Sequence, residues 1–131
     1  MARYRMIKPD FWADEKLAMG CSRDARLLFI ATWNLSDDYG VVKGSPLWLK
    51  GNALPYDDVT LEDFTDWLTA LEEIGVLVPF LHSGEKYYHI PNFSKHQSIN
   101  RPSKQRNPAF LQTLSEGSVR APGVLTDEVE V

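Results

Sequence analysis

The sequence predicts an α+β fold in which helices are followed by a β-hairpin. Three observations carry this expectation. The segment "VTLEDFTDWLTALEEIG" repeats apolar residues at helical spacing, with Leu61, Phe64, Leu68 and Leu71 three or four apart. Directly after it, "VLVPFLH" and "EKYYHIP" are two β-rich runs separated by Ser83-Gly84, a two-residue hairpin signal. Upstream, Ser22 and the pair Ser45-Pro46 stand where helix N-caps belong, each before an apolar run. A length of 131 residues with 44% apolar content fits one domain.

The elements follow in chain order. After Pro9, Phe11 and Trp12, a short helix is expected from about Asp14 to Met19, with Gly20 as its stop. Ser22 caps a second helix through "RDARLLFIATWNL", so dense in apolar residues that burial on most sides is expected. Val41 and Val42 suit a short β-bridge between glycines. Ser45-Pro46 starts a helix at Leu47, Trp48 and Leu49, and Leu54-Pro55-Tyr56 is a turn. Thr60 caps the helix over residues 60–74, with Glu62 and Asp63 near its positive end and Gly75 just past its C-terminus. Pro79 lacks an amide hydrogen, so its strand belongs at an edge or at a bulge. Helices followed by a hairpin that packs on them is the outline of a winged helix-turn-helix. Ser83-Gly84 would be the wing tip, and the helix over 60–74 would take the recognition-helix position. The expected organisation is a winged-helix domain over residues 1–91, a basic segment over 92–110 and a flexible acidic tail over 111–131.

Charge is segregated along the chain more than the net −4 suggests. Residues 59–82 contain five acids and no base. Residues 83–110 contain five bases (Lys86, Lys95, Arg101, Lys104 and Arg106) and one acid, Glu85. From residue 87 to residue 115 there is no acid. A helix bearing Glu62, Asp63, Asp66, Glu72 and Glu73 would be repelled by DNA, which carries about one negative charge per 1.7 Å of duplex axis. The basic segment is therefore the better candidate for contacting nucleic acid. Lys86, Lys95, His96, Asn100, Arg101, Lys104 and Arg106 are the candidate DNA-binding residues, and Asn92, Gln97, Ser103 and Gln105 are further donors. Phe11, Trp12, Glu62 and Asp66 are candidate contacts for a protein partner. Tyr4, Met6, Ile7, Phe11 and Trp12 are too apolar for a free tail, so this arm is expected to pack on the domain or on a second copy.

The stretches "RYRMIKPDFWADEKLA", "DARLLFIATWNLSDDYG…GSPLWLK" and above all "HIPNFSKHQSINRPSK" resemble the N-terminal winged-helix domain of phage replisome organisers, or replication initiators. These are similar in plan to DnaD-type helicase loaders. The resemblance spans roughly residues 3–106. It implies a role in replication or another transaction of phage or prophage DNA. It supplies no catalytic residues. The expected partners are double- or single-stranded DNA, a second copy and a replication protein. The alternative is a non-enzymatic protein-interaction module that self-associates, or docks a replication or transcription partner, through the acidic helix over 60–74 or the apolar N-terminal segment.

Other chemistries lack their motifs. There is no glycine-rich phosphate loop, and "YDDVTLED" does not have the spacing of a calcium loop. Single Cys21 can neither form an internal disulfide nor build a cysteine zinc site. His82, His89 and His96 are not expected to converge, since His82 should face Glu85 across the hairpin while His89 lies far down the strand. No enzyme activity, cofactor or metal is expected. The opening "MARYRMIKPDFW" lacks the apolar core of a signal peptide, and no apolar run reaches the ~20 residues of a membrane span. The expected location is the cytoplasm.

Overall fold

The computed structural model describes residues 4–99 and 107–110, so the expected tail over 111–131 lies outside the described residues. A single 3-10 turn, Pro9–Phe11, leads into α1 (Glu15–Gly20). Asp14 caps α1 by accepting from the Leu17 amide at 3.3 Å. The helix runs one residue further than its glycine suggested. Gly20 is small for a packing reason: a Cβ there would meet Ile74 Cγ2 at 2.6 Å, so the glycine lets α1 approach the end of a later helix.

Helix α2 (Arg23–Leu35) starts on the Ser22 hydroxyl, which accepts from the Ala25 amide at 3.1 Å. Its buried residues are Ala25, Leu28, Phe29, Thr32 and Trp33, a stripe at helical spacing. The expected burial on most sides is corrected here, because Leu27 is 54% exposed and faces outward. Strand β1 (Val41–Lys43) follows, then α3 (Pro46–Ala53), whose Ser45 cap accepts from the Trp48 amide at 3.3 Å. Helix α4 (Leu61–Glu73) begins at Thr60, whose hydroxyl accepts from the Asp63 amide at 3.0 Å. It buries Phe64, Leu68 and Leu71. It ends in paired reverse bonds, Gly75 N–H to Glu72 O at 3.0 Å and Val76 N–H to Leu71 O at 3.2 Å, which satisfy its last carbonyls.

Strands β2 (Val78–His82) and β3 (Glu85–His89) form the hairpin, turning at Ser83 (φ 52) and Gly84 (φ 79). Two successive left-handed residues match the twist of a two-residue hairpin loop. Strand β1 adds antiparallel to β3, pairing Val41 with His89 and Lys43 with Tyr87, so the sheet order is β1-β3-β2. Pro79 therefore sits on an edge strand, where a missing amide is tolerated. The chain then forms one short turn of helix, α5 (Phe93–His96).

One core joins these pieces. Leu28, Leu49, Phe64, Leu68, Leu71, Leu77 and Tyr88 are its fully buried large side chains, drawn from three helices, the loop after α4 and the central strand. Among the described residues the chain is thus α+β, with five α-helices and one small three-stranded antiparallel sheet.

Candidate nucleic-acid interface

The segment after the hairpin is built around Gly40. Its φ of +82° is a left-handed value, and a Cβ at this position would stand 2.7 Å from Phe93 Cβ. The Gly40 carbonyl accepts from the Ile90 amide at 2.8 Å, which brings the end of β3 alongside and seats buried Phe93 over the glycine. Asp37, itself buried, organises the loop before Gly40. Its Oδ1 accepts from the Tyr39 and Val41 amides at 2.9 and 3.1 Å, and its Oδ2 accepts from the Asn107 amide at 3.3 Å. The Asn107 side-chain amide donates to Val41 O at 2.8 Å. Residues on both sides of the 100–106 stretch are thereby attached to the domain, Ile99 by packing against the core and Asn107 by these bonds.

The N-terminal arm is the third component. Arg5 fills the C-terminal end of α2, donating from Nε to Trp33 O at 2.9 Å and from Nη2 to Ser36 O and Asp37 O, both at 3.4 Å. It pairs with Asp38 Oδ1 at 3.1 Å and lies 5.1 Å above the Phe93 ring centroid. A guanidinium suits this place because orphan carbonyls and the negative helix end both favour a cation. Gln97, only 7% exposed, clamps the arm from the other side. Its Oε1 accepts from the Met6 amide at 2.7 Å and its Nε2 donates to the Met6 carbonyl at 3.1 Å. Lys8 Nζ donates to Lys95 O at 2.9 Å.

These contacts sort the expected DNA-binding residues. Lys95 and His96 are exposed on α5, and Asn92 is exposed just before it, with a left-handed φ of 60°. Gln97 is corrected as a donor: its amide is buried and both polar atoms are used on Met6. Lys86 is half-buried and already paired. Its ammonium lies 3.2 Å from Glu72 Oε2 on α4 and 4.8 Å from the Tyr88 ring centroid. The Tyr88 hydroxyl donates to the same Glu72 oxygen. Burial, then this bond to a carboxylate and its charge, push the Tyr88 phenol far up. Asn100, Arg101, Ser103, Lys104, Gln105 and Arg106 lie outside the described residues.

The expected partner contacts divide as well. Phe11 is half-buried, with ring centroids 5.4 Å from Trp33 and 6.4 Å from Phe29, so it anchors the arm to α2. Trp12 is 61% exposed and touches Phe11 edge-on at 5.1 Å. Glu62 and Asp66 are exposed on α4 together with Asp63 and Glu73. Of the arm's apolar residues Phe11 packs on the domain, whereas Tyr4, Met6, Ile7 and Trp12 are exposed on the single chain, the surface a second copy would cover. Arg5, Phe11 and the Gln97 clamp on the Met6 backbone do the anchoring, and neither polar residue carries an apolar signal.

His82 pairs across the turn with Glu85, while His89 sits at the other end between Val41 and Val78. The His89 ring stacks on Phe110 at 4.3 Å and 10°, and its buried Nδ1 has no hydrogen-bond partner among the described residues. Burial lowers its pKa from 6.5 to about 4. Cys21 is half-buried, its Sγ donating to Leu17 O at 3.3 Å, and burial raises its thiol pKa against a smaller opposing effect of Arg26. Among the described residues no group of three or more His, Cys, Asp or Glu is placed to hold a metal ion. None of their helices is long and apolar enough to cross a membrane.

The exposed part of this site offers ammonium groups and an imidazole beside an acid-free stretch of chain, a chemistry suited to phosphates. No family model, no curated protein and no solved structure matches the chain.

Proposed function

We propose that the chain is a phage-type, cytoplasmic DNA-binding accessory of replication. In this reading the domain is a winged helix: α2, α3 and α4 are the helical core, β2–β3 the wing, and β1 the third strand. The basic segment that begins at α5 contacts DNA phosphates, and the acidic α4 faces away from the duplex. The observation that carries the reading is the exposure of Lys95 and His96 on an anchored α5, with Lys8 tied beside them, at the start of a stretch without acids from 87 to 115. The resemblance of "HIPNFSKHQSINRPSK" to replisome organisers supports it. Lys86 contributes little, because Glu72 already neutralises it.

The test is a binding titration with a short duplex. Replacing Arg101, Lys104 and Arg106 together by alanine weakens binding to all sequences about equally, whereas Lys86→Ala changes it little. If the triple variant bound like the parent, the segment would not be the contact surface.

A second reading rests on a separate observation. Glu62, Asp63, Asp66 and Glu73 are exposed, and the ion pairs formed among the described residues are Arg5–Asp38 and Lys86–Glu72. That face suits a basic protein partner or a second copy. A parent protein that binds no DNA but changes mass in light scattering on meeting a partner would favour it.

A further inference from the structure

The N-terminal arm presents aromatic and cationic groups together. Trp12 is the exposed tryptophan among the four; Trp33 is buried and Trp48 and Trp67 are half-buried. Its indole is held edge-on by Phe11, which is itself wedged against Trp33 and Phe29. The ring therefore rests on Phe11 by one edge while most of its surface is open. Lys8 stands four residues earlier, across the 3-10 turn that the Trp12 amide closes by donating to Pro9 O at 3.2 Å. The Lys8 ammonium is tied to the Lys95 backbone carbonyl, which sets the arm against α5, the turn of helix that carries exposed Lys95 and His96.

We infer that this arm is a stacking platform for single-stranded nucleic acid, with an unpaired base on Trp12 and the adjoining phosphates on Lys8 and Lys95. The inference rests on the DNA-binding reading and narrows its ligand. An open aromatic face beside cations takes a base and a phosphate at once, and is tolerant of sequence because every base has a π-face. A duplex cannot use it, since its base faces are already stacked on one another. The acids nearby shape the arrangement. Asp14 is committed to the Leu17 amide, while Asp10 is exposed in the same turn, where its charge opposes a phosphate.

The experiment compares a labelled oligothymidine with a duplex of the same length by fluorescence anisotropy. Trp12→Ala is expected to weaken oligothymidine binding by roughly ten- to a hundredfold, the usual loss for one stacked base, with an unchanged salt slope. Trp12→Phe should restore most of that loss, and Asp10→Asn should tighten binding. Oligothymidine should also quench the emission of the parent more than that of Trp12→Phe. Three outcomes with the variants would overturn the inference: Trp12→Ala binding oligothymidine like the parent, Trp12→Ala weakening duplex as much as oligothymidine, or Trp12→Phe binding no better than Trp12→Ala while melting like the parent. A parent that binds duplex alone would overturn it and leave the DNA-binding reading standing. A parent that binds neither would remove both.

Discussion

Gly40 has no side chain because Phe93 occupies the space where one would go, and its φ of +82° is one that side chains resist. Both costs fall on Gly40→Ala, and together they should remove about 2–4 kcal/mol of stability. Gly84 is the control. Its φ is +79° but nothing lies within 4 Å of an added Cβ, so Gly84→Ala should cost about 1–2 kcal/mol from strain alone. Urea unfolding of the two variants checks this, and equal losses would mean that Phe93 gives way. His89 makes a different demand. Its imidazole is buried against Phe110 and stays neutral down to about pH 4, whereas in the unfolded chain it binds a proton below about pH 6.5. The unfolded state then holds more protons between those values, so stability is complete above about pH 6.5 and is lost as pH falls toward 4, by up to about 3 kcal/mol. Thermal melts across this window should show the loss, and His89→Phe should flatten it.

Among the elements, the arm and α5 hold each other through the Gln97 clamp, the Lys8 bond to Lys95 O and the Arg5 guanidinium over Phe93. Gln97→Ala strips the Met6 amide and carbonyl of their partners while leaving the core intact, so about 1–2 kcal/mol should be lost. Trypsin should then cut faster after Arg5, and an unchanged cleavage rate would show that Arg5 and Phe11 suffice. The elements themselves were largely legible in the sequence, because their signals are local. Ser22, Ser45 and Thr60 cap the helices they precede, and Ser83-Gly84 turns the hairpin. What could not be read there are long-range polar bonds. Gln97 reaches back 91 residues to Met6, and Asn107 reaches 66 residues to Val41. Nothing in the spacing of "NFSKHQSI" says that its phenylalanine serves a glycine and its glutamine an arm. Lys86 was legible as a cation but not as one already paired, since Glu72 stands on another element. A run of apolar letters does not say how many sides of a helix are covered, so the outward face of Leu27 is not legible in it.

For the whole molecule, the proposed DNA contact rests on the distribution of charge. Acids are exposed along α4, while Lys8, Lys95 and His96 are exposed at the arm and α5, ahead of Arg101, Lys104 and Arg106 in the sequence. If these cations neutralise about three to five phosphates, log K should fall linearly with log salt at a slope of roughly −3 to −5. Removing acids from α4 by Glu62→Ala, Asp63→Ala and Asp66→Ala should leave that slope unchanged and tighten binding slightly. The most direct measurement is the salt slope of duplex binding for the parent and for the variant carrying Arg101→Ala, Lys104→Ala and Arg106→Ala. The proposed contact surface predicts a flatter slope, less steep by about one to three, together with weaker binding to every duplex. A triple variant with the parent's slope and affinity, beside an α4 variant that loses DNA, would contradict it and move the contact to α4.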